Sequence, residues 1–407
     1  MVESNVNSNK PDMQLSKLLF SILVAVYPIF IRYASLIPYI TLAETGLLAF
    51  WVFHMFKAHG RIKIYAATTL LCAFLLIDVV MALVGNSAID PVDSAGTALR
   101  LIFLYASIAI LSQEYFDFEI GYKAFRIVGF ILSVYAIIQT VAAFTGRYLS
   151  TYLPFLPIMG TQNIDNDILY RASYGIQFRP CSLLNEPSDL AVYLILVIFL
   201  LLFYRRGKRE TAIAIFHTLV CFISRSSTGI ILCLLIWCLY FARFRSLNKS
   251  QIVNRMVGMV AGAVGATFVL IRTGIWQYFV DRTFQGNLSI GGLSTSTRFY
   301  AIQKMFESSG TLKGLLFGAG LATTEDYLPG FARIFYCMGL LGLIVFFVYL
   351  IAAYRKGSQR QKLLLVLFAF LNIGTEIILG RYAMVYLSVI EADDGMGQEI
   401  TVLNQDK

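Results

Sequence analysis

Four arginines lie in sequence contexts suited to binding an anion. They are Arg179 in "IQFRPCSLLNEPSDLA", Arg225 in "SRSSTG", Arg298 in "STSTRFYAIQKMF" and Arg333 at the start of a long apolar run. A guanidinium group is planar and can hold two phosphate oxygens at once, so these residues are candidates for binding a phosphate group or another anion of a substrate. For Arg225, Arg298 and Arg333 the alternative is that the side chain only anchors at the membrane interface.

Glu186 is a candidate general base. It precedes Pro187, which suits the first position of a helix. The positive end of the helix dipole favours an ionised carboxylate there, and such a group could accept a proton from a sugar hydroxyl. A purely structural role remains open for both residues. Glu186 could serve as no more than the cap of the helix, and Arg179 as no more than the partner of a salt bridge with Glu186, Asp165 or Asp167.

The elements that must position these residues are membrane helices. The chain is 58% hydrophobic and only 14% charged, whereas soluble domains are roughly one-quarter charged. Apolar runs of spanning length predict an all-α, polytopic bundle of 11 or 12 transmembrane helices. We predict spans at 15–31, 37–56, 63–84, 97–113, 124–145, 187–204, 211–224, 227–243, 256–273, 332–354 and 362–380, with 381–391 as a possible short twelfth.

The net charge of +9 reflects topology rather than nucleic-acid binding. Clusters of Lys and Arg recur after an even number of predicted spans, for example Lys57, Arg61 and Lys63. By the positive-inside rule these connections and the N-terminus are cytoplasmic. The two long loops, 147–186 and 274–331, then face the outer side of the membrane, and we predict a single membrane domain over 1–407.

The second loop is predicted to contain an amphipathic helix on the membrane surface. Hydroxyl residues precede Phe299, Ile302, Met305 and Phe306, which are placed at helical spacing. No metal and no cofactor are predicted, since the outer loops contain no histidine and only one cysteine, Cys181.

Two carboxylates fall inside predicted spans. An unpaired charge there is costly, so Glu44 and Asp78 are predicted to pair, with Arg32 and Arg100 as available partners. The alternative is a polar pathway through the membrane.

The order of several motifs resembles the O-antigen polymerase and O-antigen ligase superfamily of bacterial surface-polysaccharide enzymes. The motifs are "FRPCSLLNEPSDLAVYL", "SRSSTGIILCLL", "STSTRFYAIQKMF", "GLLFGAGLATTEDY" and "FARIFYCMGLLGLIVFF". They lie in roughly the C-terminal 240 residues, and the first five spans match only in being spans.

The resemblance implies a GT-C-like, inverting, metal-independent glycosyltransferase. Its donor would be an oligosaccharide on undecaprenyl diphosphate, and Arg179, Arg225 and Arg298 would hold the diphosphate leaving group. Without a divalent metal, guanidinium groups must offset the charge that grows on the phosphate. Membrane lipid would be a further contact, and chain-length regulator and flippase proteins are candidate partners.

One departure from the family favours a polymerase of repeat units over a ligase. Ligases of this superfamily usually carry a histidine shortly before the helix that begins here near Phe331, where this chain has Leu328 and Pro329. The general base is therefore open between Glu186, Asp326 and the acceptor's own environment. A transporter or flippase is a further alternative, but it should show inverted repeats, paired broken spans and small loops, and the sequence predicts neither of the first two.

Overall fold

The computed structural model describes residues 11–57, 66–85, 91–159, 178–205, 207–242, 284–285, 289–290, 311–321 and 328–392. These residues are predominantly helical, and the strands among them are two residues long each. In chain order the elements are α1 (Pro11–Phe30), α2 (Leu42–Lys57), α3 (Ala66–Gly85), α4 (Pro91–Ser107), α5 (Phe118–Phe144), α6 (Pro187–Phe203), α7 (Lys208–Ile223), α8 (Ser227–Ala242), β1 (Phe284–Gln285), β2 (Ser289–Ile290), α9 (Leu312–Phe317), α10 (Gly330–Lys356), α11 (Gln359–Gly374) and α12 (Arg381–Glu391).

Length and composition make this a helical membrane protein. Among the residues that the structure describes, four segments are long and apolar enough to cross a membrane, and three shorter helices are also apolar. The four are Met13–Phe30, Val92–Tyr115, Phe118–Phe144 and Gly330–Lys356, where the second is α4 continued through a π-helical turn. The helical fold class is thus confirmed, while the number of spans and their orientation stay predictions.

Most predicted spans coincide with a helix of the structure. The span at 256–273 and the amphipathic helix around Phe299 lie outside the described residues. The segment 381–391 forms α12, whose residues from Tyr382 to Ile390 are all buried. Ser388 Oγ lies 2.8 Å from Ser112 Oγ, within hydrogen-bonding distance. With 11 residues, α12 is a buried helix too short to cross a bilayer.

The chain folds into two compact units. Unit 1 contains residues 1–128, 152–165 and 305–407, and unit 2 contains residues 129–151 and 166–304, so the boundary falls inside α5. That one membrane domain extends over 1–407 stays a prediction.

Unit 2 is built around α6. All residues of α6 from Leu190 to Phe203 are buried, because α7, α8 and the second half of α5 pack on this helix. Close approach depends on two glycines. A Cβ atom at Gly129 would lie 3.0 Å from Val197, and a Cβ atom at Gly229 would lie 2.6 Å from the Cβ atom of Ala191.

In unit 1, α10 is broken. Gly339 has φ 65° and ψ −167°, outside the helical region. The amides of Ala319 and Gly320 donate to the carbonyls of Tyr336 and Cys337, each at 2.8 Å, and so satisfy backbone groups at the break. The sequence analysis did not predict this break, because it depends on a loop that hydropathy does not reveal; the absence of paired broken spans stays a prediction.

The Glu44 prediction is confirmed and the Asp78 prediction is not. Glu44 Oε1 lies 3.5 Å from Arg100 Nε, and Glu44 also accepts a hydrogen bond from the Thr41 amide at the start of α2. No ion pair in the described part of the chain joins Asp78 to Arg32 or Arg100.

Candidate anion-binding site in unit 2

Gln139 fixes a loop that we call the Arg179 loop, residues 178–186. Its Nε2 donates to the carbonyls of Ser182 at 3.1 Å and Ser150 at 3.3 Å, and its Oε1 accepts from the Ser182 amide at 2.8 Å. The Gln139 side chain is fully buried. A buried amide with all of these bonds favours one backbone conformation of the loop over others.

Apolar contacts hold the rest of the Arg179 loop. Phe178 and Cys181 are buried with Ala143, and Tyr148 packs against the three. Arg179 lies between these two anchored positions and is itself half-buried. The backbone on either side of the guanidinium-bearing residue is therefore held in place.

A hydrogen bond brings Arg179 to the second predicted arginine. Arg179 Nε donates to the carbonyl of Ser224 at 3.3 Å. Ser224 and Arg225 belong to the connection between α7 and α8, which we call the Arg225 turn, residues 224–226. The structure thus places Arg179 beside the residue that precedes Arg225, although 45 positions separate Arg179 from Ser224 along the chain.

Backbone strain is concentrated in these two segments. Among the described non-glycine residues, positive φ angles occur at Ser182 (58°), Arg225 (51°) and Tyr39 (64°). Such a conformation costs about 1 to 3 kcal/mol per residue and persists only when the surroundings impose it. Two of the three residues belong to the Arg179 loop and the Arg225 turn, which is typical of functional sites.

Two helices begin next to these arginines. The N-terminal parts of α6 and α8 meet at Ala191 and Gly229. Helix α6 has Pro187 at its first position, and Ser226 Oγ accepts a hydrogen bond from the Gly229 amide at 3.3 Å in α8. Helix N-termini carry unpaired amides and a partial positive charge, so both favour an anion here.

Glu186 is at the N-cap position of α6, but its side chain makes no capping hydrogen bond. The carboxylate is exposed and accepts a hydrogen bond from Ser188 Oγ at 2.9 Å. The prediction that the Glu186 side chain caps α6 is therefore wrong. Within the described residues no ion pair joins Glu186 to Arg179, whereas Asp165 and Asp167 lie outside them.

Arg333 lies in unit 1, in the first turn of α10. Its Nη1 forms a short ion pair with Glu376 Oε2, from the segment that follows α11. The ion pair of Arg333 with Glu376 could not be predicted from the sequence, because the two residues are far apart in the chain. Diphosphate binding by Arg333 stays a prediction, and a phosphate there would have to displace or share this carboxylate. Arg298 and the alternative base Asp326 lie outside the described residues.

Three residues of the unit 2 site were not predicted. Of the three, Gln139 was the easiest to identify from the sequence, because a glutamine inside an apolar span usually has a polar partner. Ser182 Oγ and Asn185 Oδ1 are buried and have no hydrogen-bond partner within the part of the chain that the structure describes. Buried polar atoms without partners are uncommon, so these two atoms are available to a ligand.

No protein-family model matches this chain, and no curated sequence is significantly similar to it.

Proposed function

We propose that this protein is a repeat-unit polymerase of a bacterial surface polysaccharide, acting on undecaprenyl-diphosphate-linked oligosaccharides at the outer face of the inner membrane. The observation that carries the proposal is the approach of Arg179 to the Arg225 turn, 3.3 Å from Nε to the Ser224 carbonyl. Together with the first turns of α6 and α8, it gathers positive charge where a lipid-linked diphosphate could bind. The sequence resemblance supplies the substrate class.

In the proposed reaction the acceptor hydroxyl attacks the anomeric carbon of the donor sugar. The bond from that carbon to the diphosphate oxygen breaks as the new glycosidic bond forms, and undecaprenyl diphosphate leaves with both electrons. The arginines stabilise the negative charge that grows on the leaving group. Glu186 accepts the hydroxyl proton, and its exposed carboxylate is free of a capping role that would compete.

The test is reconstitution of the full-length protein in liposomes with the lipid-linked oligosaccharide of its source bacterium. We expect a ladder of lipid-linked polymer and release of one undecaprenyl diphosphate for each bond formed. If polymer of unchanged length is instead moved to a lipid A core acceptor, the protein is a ligase. As a positive control, a known polymerase of that pathway is given the same single repeats. If that polymerase consumes them and this protein forms neither product, the proposal is wrong.

A second candidate, a transporter of the lipid-linked oligosaccharide, is favoured by the break in α10 at Gly339. It predicts a different result in the same liposomes. Labelled lipid-linked oligosaccharide would equilibrate between the leaflets without elongation, which accessibility to an added glycosidase measures.

A further inference from the structure

Asp78 in α3 is a carboxyl group deep in unit 1. Only 1% of the residue is exposed, and Oδ2 has no hydrogen-bond partner among the described residues. The rest of α3 contains no other charged side chain. A buried carboxylate without a partner is disfavoured so strongly that such groups take up a proton or bind a cation.

Helix α10 is the neighbour that faces Asp78. The two helices pack closely at Gly342, where a Cβ atom would lie 3.2 Å from the Phe74 ring. One turn further along α3, Asp78 lies within electrostatic range of Cys337, just before the break in α10 at Gly339.

The cation on this side of α10 is already neutralised. Arg333 forms an ion pair with Glu376, so its positive charge is balanced by that carboxylate. If Asp78 were ionised, the four residues Asp78, Arg333, Cys337 and Glu376 would together carry one uncompensated negative charge.

Helix α4 also packs on α3 and does not supply the missing charge. Its charged residues are Asp93 and Arg100. Asp93 is exposed, and Arg100 is more than half exposed and paired with Glu44. No described residue therefore balances an ionised Asp78.

We propose that Asp78 is a proton-binding site of unit 1, occupied at neutral pH, whose proton neutralises the contact between α3 and the broken helix α10. A proton needs no coordination shell, whereas a metal cation needs several oxygen or nitrogen ligands. Within the described residues no group of three or more His, Cys, Asp or Glu side chains could hold a metal ion. The nearby Tyr336 and Cys337 carbonyls at the break already accept hydrogen bonds from Ala319 and Gly320.

Release of this proton would place an anion against α10 two residues from Gly339, where the helix is already discontinuous. Protonation of Asp78 is therefore coupled to the packing of α3 on α10. The proposal does not depend on the polymerase proposal, since it uses only unit 1 residues outside the unit 2 site.

The test is infrared spectroscopy of the full-length protein in lipid nanodiscs at neutral pH. We expect the carbonyl stretch of a protonated carboxylic acid, shifted when the protein is produced with isotopically labelled aspartate and unshifted with labelled glutamate. The band should be absent from Asp78→Asn and decline at alkaline pH. The matched control is Asp93→Asn, the same change at an exposed position, which should leave the band intact.

Two results would overturn the proposal: a wild-type protein with no protonated aspartate band, or a band that appears only after sodium and potassium are removed, which identifies a bound metal cation. If Asp78→Asn does not fold, Asp78→Glu decides the assignment. In that variant the isotope sensitivity of the band should move from labelled aspartate to labelled glutamate.

Discussion

Replacement of Arg179 by alanine separates its proposed role in binding from a role in folding. In the structure Arg179 Nε donates a long hydrogen bond, 3.3 Å, to the uncharged Ser224 carbonyl. Loss of this bond costs stability about 0.5 to 1.5 kcal/mol, and the contacts of Gln139, Phe178 and Cys181 that hold the loop remain, so the variant should fold. A hydrogen bond to a charged phosphate contributes about 1.5 to 3 kcal/mol, which corresponds to a decrease of about 10- to 150-fold in kcat/KM for polymer formation.

Two further variants complete the comparison. Arg179→Lys keeps the charge but loses paired contacts to phosphate, and we expect partial recovery of activity. Arg147→Ala removes an exposed arginine of the same unit and should leave elongation unchanged. Elongation rates are measured in liposomes at equal protein amounts. Wild-type elongation by Arg179→Ala, or an equal loss in Arg147→Ala, would refute the reasoning.

Three other predictions concern the elements that support the site. Gln139→Leu removes the hydrogen bonds that the buried Ser182 amide and carbonyl make with Gln139, so it should lower the free energy of unfolding by about 1 to 3 kcal/mol and reduce elongation. Thermal unfolding in detergent and the liposome assay measure the two effects, and Gln113→Leu, which loses a 3.5 Å bond, is the milder control. Gly229→Val should lower the melting temperature, because a Cβ atom there would lie only 2.6 Å from the Ala191 Cβ atom and would push α8 away from α6. Gly96→Val should not, because a Cβ atom there would have no atom within 4 Å; equal melting temperatures would contradict this account of the packing. Glu186→Gln should slow elongation about 100- to 10,000-fold while leaving donor binding unchanged if this carboxylate is the general base, and an unaltered rate would assign that role elsewhere.

The helices could largely be predicted from sequence because length and hydropathy determine them. The boundaries were less predictable where apolar residues lie outside helices. Ile37 and Tyr39 were assigned to the second span, yet both are exposed, and α2 begins only at Leu42. The start is set by Thr41 and Glu44, whose side chains each accept a hydrogen bond from the other residue's amide.

The break in α10 could not be predicted because its cause is distant in sequence. Gly339 adopts a positive φ angle, and a Cβ atom there would lie 2.4 Å from the carbonyl group of Leu316. Gly318 is restricted in the same way, since its Cβ atom would lie 2.5 Å from the Cys337 carbonyl carbon. The glycines permit this crossing, but the sequence does not reveal which backbone segments meet.

The site was predictable in its residue types and not in its architecture. Arginines in polar loops predicted anion binding, which stays a prediction, and the structure places Arg179 beside the Arg225 turn. The support by Gln139 and the strained backbone of Ser182 depend on tertiary contacts, which local patterns do not specify.

The central claim is that Arg179 and Arg225 bind one diphosphate together, and a double-mutant cycle tests it most directly. The affinity of the protein in nanodiscs for undecaprenyl diphosphate would be measured by calorimetry for wild type, Arg179→Ala, Arg225→Ala and the double variant. We expect weaker binding in each single variant and a coupling energy between the two changes of about 0.5 kcal/mol or more. Equal affinity of the wild type and the double variant would contradict the account.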